Sequence, residues 1–494
     1  MRSSILAVGV ALGAGLGVFA SPTPPPESGF DERSEMRDVF KKLKASANTD
    51  WQPCHYWFQC MVLRMPLDHD DSSLGTVAIG FVKSPADEKS KDPQDILFNP
   101  GGPGASGIEV MVDGIDAIRQ RLGWEHNIES SAIDVLKLRP DEIRPPEWLA
   151  QSKGEDPSTS QLWYYGASYG PILGAAFADR CPRRVGRLIL DSVPDAEAYF
   201  SGDWTANIVD ADRDLEEFFS LCQEAGPSSC KFWDHSVSRI KQRFNAINAK
   251  LATWTTHIEN GGYFFNSRDF RQSVSKAIHD PKNYFSTLAS FLADLERAIQ
   301  RGFRERDEIE SLDELNPRGL LYDGLDFEAR FFIACTDADG RHNLSSFNDF
   351  IIHVNTEYNT SRYMGEGLAS AAAMCRHMSI RAPRSQVVYP ERLGVNTTAN
   401  PILFLSISID PVTPIQGARK MTKKFRGSRL LEQQGIGHTT FSGDSPCTED
   451  VVQRYLKNAS LPPEVFICRG DGNPFRWSGV RRTTLVGFPG VSFV

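Results

Sequence analysis

Leu162-Trp-Tyr-Tyr-Gly166-Ala167-Ser168-Tyr169-Gly170-Pro-Ile172 is the stretch on which the fold turns. Its first four residues are apolar or aromatic and read as a buried strand. Gly166-Ala-Ser-Tyr-Gly170 is a G-x-S-x-G turn, and residues 172–178 form an apolar helix pattern. Strand, sharp turn and helix in that order are the setting of a nucleophile elbow. Both glycines are steric requirements, because a Cβ at either would collide with the neighbouring strand or helix. The turn holds Ser168 in a strained backbone conformation with Oγ presented. The helix that starts there favours negative charge beside it.

The same alternation extends outward. Upstream, Ile96-Leu97-Phe98 runs into Asn99-Pro-Gly-Gly-Pro-Gly104, and Ile108, Met111, Ile115, Ile118 and Leu122 then recur at helical spacing. Residues 59–66 and 75–82 read as a hairpin around a polar turn at 68–73. Downstream, residues 185–190 form a strand ending at Asp191. Strands alternating with helices predict an α/β fold, an α/β-hydrolase core with a mostly parallel sheet and helices on both faces. From about 203 to 381 the patterning is mainly helical, and strand signals return at 402–409 and 429–433. The simplest division is a signal peptide over 1–20 and a linker or pro-segment over 21–50. The core follows over 51–195, an inserted helical cap over 196–395, the rest of the core over 396–475 and a tail over 476–494.

With 494 residues, 40% hydrophobic and 24% charged, the chain has the composition of a globular protein and is not disordered throughout. A net charge of −9 gives it no basic footprint, so nucleic acid is excluded as a default partner. Arg2 precedes an uncharged run from Ile5 to Ala20 that ends in Val18 and Ala20. That is the pattern of a secretory signal peptide cleaved before Ser21. The run is shorter than the roughly 20 residues a bilayer span needs. No later segment is apolar enough to span, so no membrane association is expected after cleavage.

Secretion implies that most of the nine cysteines pair. Local spacing suggests Cys54–Cys60, Cys222–Cys230 and Cys447–Cys468, and elimination gives Cys335–Cys375, with Cys181 left over as a thiol. Four sequons fit the same compartment and make Asn343, Asn359, Asn396 and Asn458 candidate glycosylation sites. Oligomeric state is not legible.

A serine hydroxyl needs a base, and the base needs an orienting acid. In this fold class the chain order is Ser, acid, His. Among the histidines, His438 lies beyond Ser168 after a strand, in Gln434-Gly-Ile-Gly437-His438, where two glycines let the loop bend. The acid is expected after the preceding strand, at Asp410-Pro-Val-Thr-Pro414, with Asp191 as the alternative. An oxyanion needs backbone N–H donors. The loop at Gly101 and Gly102 supplies one and Tyr169 the other. That loop lacks the Gly-Lys-Ser/Thr ending and the G-x-G-x-x-G spacing of phosphate sites, and no metal-binding spacing appears. No cofactor is expected.

Taken together, Asn99-Pro-Gly-Gly-Pro-Gly104, Gly166-Ala-Ser-Tyr-Gly170, Asp410-Pro-Val-Thr-Pro414 and Gly437-His438 resemble the secreted microbial tripeptidyl aminopeptidases of the proline iminopeptidase group of α/β hydrolases. The stretches 51–68 and 447–468 are similar to the same family, and the resemblance covers about residues 50–475. It implies a serine exopeptidase that takes short pieces or single residues from peptide N-termini, with peptides as partners and a helical cap over the site. By this resemblance Ser168 is the nucleophile, Asp410 the acid and His438 the base. One departure stands out. The family carries a strand ending in Asp-Pro-Arg-Gly between the oxyanion loop and the elbow, and this chain has no such string. The nearest candidate is 132–138, ending in Arg139-Pro140-Asp141. Two further readings therefore stay open: an esterase or lactonase on the same triad, and a hydrolase-fold protein whose catalysis is impaired by a missing strand.

Overall fold

The computed structural model describes residues 32–68, 71–91, 93–132, 159–253, 258–260, 263–302, 315, 324–342, 344–376, 378–470 and 472–476. The signal-peptide segment, Asn343, the string Arg139-Pro140-Asp141 and the tail beyond 476 lie outside them.

The described residues open with α1 (Glu32–Lys42) and the short strands β1 (Ala45–Ser46) and β2 (Gln52–Pro53), the first two of which lie within the stretch expected as a linker. Then come β3 (Gln59–Pro66), β4 (Thr76–Ser84), β5 (Asp95–Asn99), α2 (Gly107–Leu122), β6 (Asn127–Ser131), β7 (Leu162–Ala167), α3 (Gly170–Arg180) and β8 (Val185–Asp191). A helical insert follows: α4 (Ala196–Ser201), α5 (Ala211–Ala225), α6 (Val237–Ala252), α7 (Ser267–His279), α8 (Pro281–Gln300), α9 (Gly324–Ala338), α10 (Phe347–Thr360) and α11 (Gly365–Cys375). It is interrupted by a small hairpin, β9 (Ile258–Asn260) with β10 (Tyr263–Phe265), that the sequence pattern does not reveal. The core closes with β11 (Leu403–Ile409), α12 (Ile415–Lys424), β12 (Arg429–Ile436), α13 (Pro446–Asn458) and β13 (Phe466–Arg469).

Among the described residues one sheet runs β1-β3-β4-β6-β5-β7-β8-β11-β12-β13, with β2 on β3. From β6 to β13 every neighbour pair is parallel. The β3–β4 hairpin is antiparallel, as expected. Residues alternate across the sheet with period two. Tyr164, Leu188 and Leu190 face one apolar cluster, with α3, α12 and the aromatic core of the insert; Tyr165, Ala167 and Ile189 face the other, with α2 and α13.

Residues 133–138 of the candidate strand lie outside the described residues, and β6 ends at Ser131, just before that candidate begins. β6 pairs in parallel with β5 (Asp95 opposite Asn127) and antiparallel with β4, and so fills the place next to the nucleophile strand's neighbour. Its sequence, Asn-Ile-Glu-Ser-Ser, hides it from hydropathy. Glu129 is completely buried and carries a 2.6 Å ion pair with Lys83. A buried charge in a strand is tolerated when it is paired.

All four expected disulfides are present, with Cα–Cα separations of 5.7, 5.3, 5.1 and 5.6 Å from Cys54–Cys60 to Cys447–Cys468. Cys335–Cys375 joins α9 to α11 and Cys447–Cys468 joins α13 to β13. Cys181 is in none of them. Asn359, Asn396 and Asn458 are exposed. No helix among the described residues is long and apolar enough to cross a membrane.

Candidate active site

Four parallel strands carry the candidate residues at their carboxyl ends. This is where an open α/β sheet places its ligands. β5 leads into the Asn99–Gly104 loop, β7 into Ser168, β11 into Asp410 and β12 into His438.

Ser168 adopts φ +61, a left-handed conformation uncommon for a non-glycine residue. Its N–H donates to the Asp191 carbonyl at 3.0 Å, which fixes the turn against β8. A Cβ on Gly166 would stand 2.7 Å from the Gly170 carbonyl carbon, so no larger residue fits. On Gly170 it would stand 3.2 Å from the Asn99 carbonyl oxygen, which is tight. The elbow is therefore packed against the Asn99–Gly104 loop as well as against its own helix.

Asp410 is fully buried, and both its oxygens lie 3.0 Å from His438 Nδ1. Oδ1 also accepts the N–H groups of Val412 at 3.0 Å and Thr413 at 2.8 Å, and Oδ2 accepts the Thr413 hydroxyl at 2.7 Å. Burial alone would raise the carboxyl's pKa. The adjacent imidazole and these hydrogen bonds outweigh burial and hold it well below the usual carboxylate range. Because Nδ1 faces a carboxylate, we assign the ring proton to Nδ1, which leaves Nε2 as the acceptor. Nε2 is buried and makes no hydrogen bond, so none joins it to Ser168 Oγ. Catalytic hydrogen bonds are often long without substrate. The structure thus brings Asp410 and His438 into contact, and Thr413, which donates to Asp410, lines the same pocket as Ser168.

Asp191, the alternative acid, is directed elsewhere. Its Oδ2 accepts the hydroxyls of Tyr165 (2.6 Å) and Thr440 (2.7 Å), tying β7, β8 and the loop after His438 together.

In the loop expected to hold the oxyanion, Gly101 and Gly102 both have left-handed φ, +100 and +115. The Gly101 N–H donates to Asn99 Oδ1 at 2.9 Å. Its contribution is close approach, since a Cβ there would lie 2.7 Å from Ser168 Cβ and 2.8 Å from Tyr169 N. An oxyanion site built on this loop would draw on the Gly102 and Tyr169 amides.

A pocket opens beside Ser168, lined by Gly102, Tyr169, Tyr199, Trp204, Phe331 and Val412, with Asn207, Arg330 and Thr413 as polar members. The hydroxyls of Tyr169 and Tyr199 both donate to Asp337 Oδ2 at 2.9 Å, which pins α9 and α4 over the elbow. Sequence reasoning did not reach these insert residues. Thr413 was within reach, because a hydroxyl residue three after Asp410 is positioned to cap the same turn. Among the described residues no cluster of three or more His, Cys, Asp or Glu has metal-site geometry.

A sheet of this topology, with a serine elbow and a buried Asp–His pair at the carboxyl ends of its strands, defines a serine hydrolase of the α/β-hydrolase fold. Residues 361–468 match the family described as TAP-like protein, a span that holds Asp410 and His438. The chain is similar to the serine protease Hip1 of Mycobacterium tuberculosis, at 22% identity over 502 residues, covering 86% of this chain and 92% of that one. It is also similar to the tripeptidyl aminopeptidase of Streptomyces coelicolor, at 20% over 525 residues, covering 90% of each. Against the solved proline iminopeptidase of Mycobacterium smegmatis the identity is 12%, with 77% and 95% of the two chains covered and a TM-score of 0.30. The chain is a serine hydrolase related to the TAP-like α/β hydrolases.

Proposed function

We propose that this protein is a secreted serine exopeptidase that removes short peptides from peptide N-termini through an acyl-enzyme on Ser168. The observation that carries the reading is the buried Asp410–His438 pair, whose hydrogen-bond partner Thr413 lines the pocket that holds Ser168. In this mechanism His438 Nε2 takes the Ser168 proton as Oγ attacks the scissile carbonyl, and Asp410 stabilises the imidazolium. The oxyanion is received by the Gly102 and Tyr169 N–H groups. His438 then gives the proton to the leaving amine, and water repeats the sequence to release the acyl group.

Secretion is supported by four disulfides, which persist in oxidising compartments. The impaired-hydrolase reading rests on a missing strand; β6, next to β5 in the sheet, supports the active reading over it. The test is labelling of the secreted protein by a fluorophosphonate probe, followed by a panel of aminoacyl and tripeptidyl anilides and simple esters. Label on Ser168, lost in Ser168→Ala with folding intact, and turnover of N-terminally free peptidyl anilides are expected. Turnover of esters with no anilide cleaved would select the esterase reading. Wild-type rates in Ser168→Ala would refute the mechanism.

A further inference from the structure

The loop that carries the base is gripped from the helical insert as well as from the sheet. Gly437 N–H donates to the Ile409 carbonyl at 3.0 Å, which satisfies it within the core. It also donates to Oδ2 of Asp214, on α5, at 2.9 Å. The next N–H, that of His438, donates to the carbonyl of His279 at the end of α7, at 2.7 Å. Gly437 has φ +101, and a Cβ there would stand 2.5 Å from Cδ of Pro281, the first residue of α8. Three helices of the insert therefore fix two consecutive peptides of this loop.

Asp214 is the polar side chain in this grip. It is fully buried, and its Oδ1 has no hydrogen-bond partner. Burying a carboxyl satisfied on one oxygen is costly. The backbone it meets already has an acceptor in Ile409, so satisfying Gly437 does not explain it. What Asp214 adds is orientation, because a second acceptor on the insert side sets the plane of the peptide leading into His438. Its neighbours account for its charge state. Burial, with Asp410, Glu217 and Asp210 nearby, raises its pKa well above the usual range despite the Gly437 hydrogen bond.

We propose that Asp214 is a positioning residue for the hydrolytic reaction, fixing the loop of His438 through the Gly437 N–H so that the base is in place only when the helical insert is seated on the core. This rests on the reading of His438 as base and is independent of which acyl group is cleaved. It makes the insert part of the catalytic assembly, since lifting it would break the bonds to Gly437 and His438 together.

The test compares Asp214→Asn, which keeps an acceptor oxygen, with Asp214→Leu, which has similar branching at Cγ and none, in the full secreted chain. Fluorophosphonate labelling rate, kcat and KM on an activated ester, and thermal midpoint are measured for each. Asp214→Leu is expected to lose about 100-fold in labelling rate and kcat, the scale of a base displaced by about an ångström, with KM little changed. Asp214→Asn should recover most of that loss. Wild-type kcat in a folded Asp214→Leu protein would overturn the proposal. So would an Asp214→Asn protein that keeps its thermal midpoint but loses kcat, a result that stands even if the leucine variant does not fold. A folded wild-type protein that takes no label would remove the triad reading and this one with it. Labelling that depends on Asp214 without cleavage of any peptide would remove only the exopeptidase assignment.

Discussion

Both carboxylate oxygens of Asp410 lie 3.0 Å from Nδ1 of His438, while Nε2 on the far side of the ring makes no hydrogen bond. Asp410 is thus bifurcated on one nitrogen and leaves the other as the acceptor. Asp410→Asn would keep the shape and lose that control, because an amide N–H opposite Nδ1 favours the wrong tautomer. We expect kcat to fall by about 10⁴-fold with little change in KM. Steady-state kinetics on an ester and an anilide check this; a loss below tenfold would mean that another group orients the ring.

Gly101 tests the oxyanion loop without touching a donor. An added methyl would stand 2.5 Å from the Ala167 carbonyl oxygen and 2.7 Å from Ser168 Cβ, at a φ of +100 that L side chains rarely adopt. Gly101→Ala must push the loop away from the elbow and take the Gly102 amide with it. The expected loss is about 10²- to 10³-fold in kcat, the scale of removing one oxyanion donor. Near-normal kcat would show that the oxyanion is bound elsewhere.

His279 predicts a pH dependence of stability. Its side chain sits edge-on to His438, with ring centroids 5.6 Å apart, and Nδ1 bonds the Ser275 carbonyl at 2.9 Å. Burial, and then the charge of His438, lower its pKa to about 3. The unfolded chain has a value of about 6.5, so it binds the extra proton throughout the interval between. Stability contributed by neutral His279 is complete above about pH 6.5 and is lost progressively as pH falls towards 3. Asp410, whose folded pKa is depressed, adds its own loss only below about pH 4. The thermal midpoint of the wild type should therefore fall between pH 6.5 and 4 more steeply than that of His279→Gln. Parallel curves would show that the imidazole protonates freely in the folded protein.

The parts of this site that sequence makes legible are those that need a particular residue type at a fixed backbone position. Gly166, Gly170 and Gly101 are required by close approach, and Ser168, Asp410 and His438 each follow an apolar strand whose end is readable. Local spacing also suffices for cysteines 6 and 8 residues apart. What escapes is held by distant contacts. β6 buries Glu129 against the distant Lys83 and carries no hydrophobic alternation. Asp214 meets Gly437 across 223 residues and Asp337 meets Tyr169 across 168, and nothing local to any of them signals the pairing. The alternative acid Asp191 was plausible by position and is excluded by its partners, Tyr165 and Thr440.

The disulfide Cys335–Cys375 closes a 40-residue separation and ties α9 to α11. α9 supplies Arg330 and Phe331 to the pocket and Asp337 to the two tyrosine hydroxyls above the elbow. On the chain-entropy account, a loop of this length contributes about 4 kcal/mol by restricting the unfolded chain. Cys335→Ser with Cys375→Ser should therefore lower the thermal midpoint by several degrees. The effect is not confined to the unfolded state. Releasing α11 frees the helix that carries the pocket roof, so KM for peptidyl anilides should rise while the labelling rate of Ser168, set by the core strands and by the α5 and α7 contacts to the His438 loop, changes little. Thermal unfolding, anilide kinetics and labelling on the double variant separate the two consequences. A labelling rate that falls together with the midpoint would show instead that α9 also holds the elbow, through the Tyr169–Asp337 hydrogen bond.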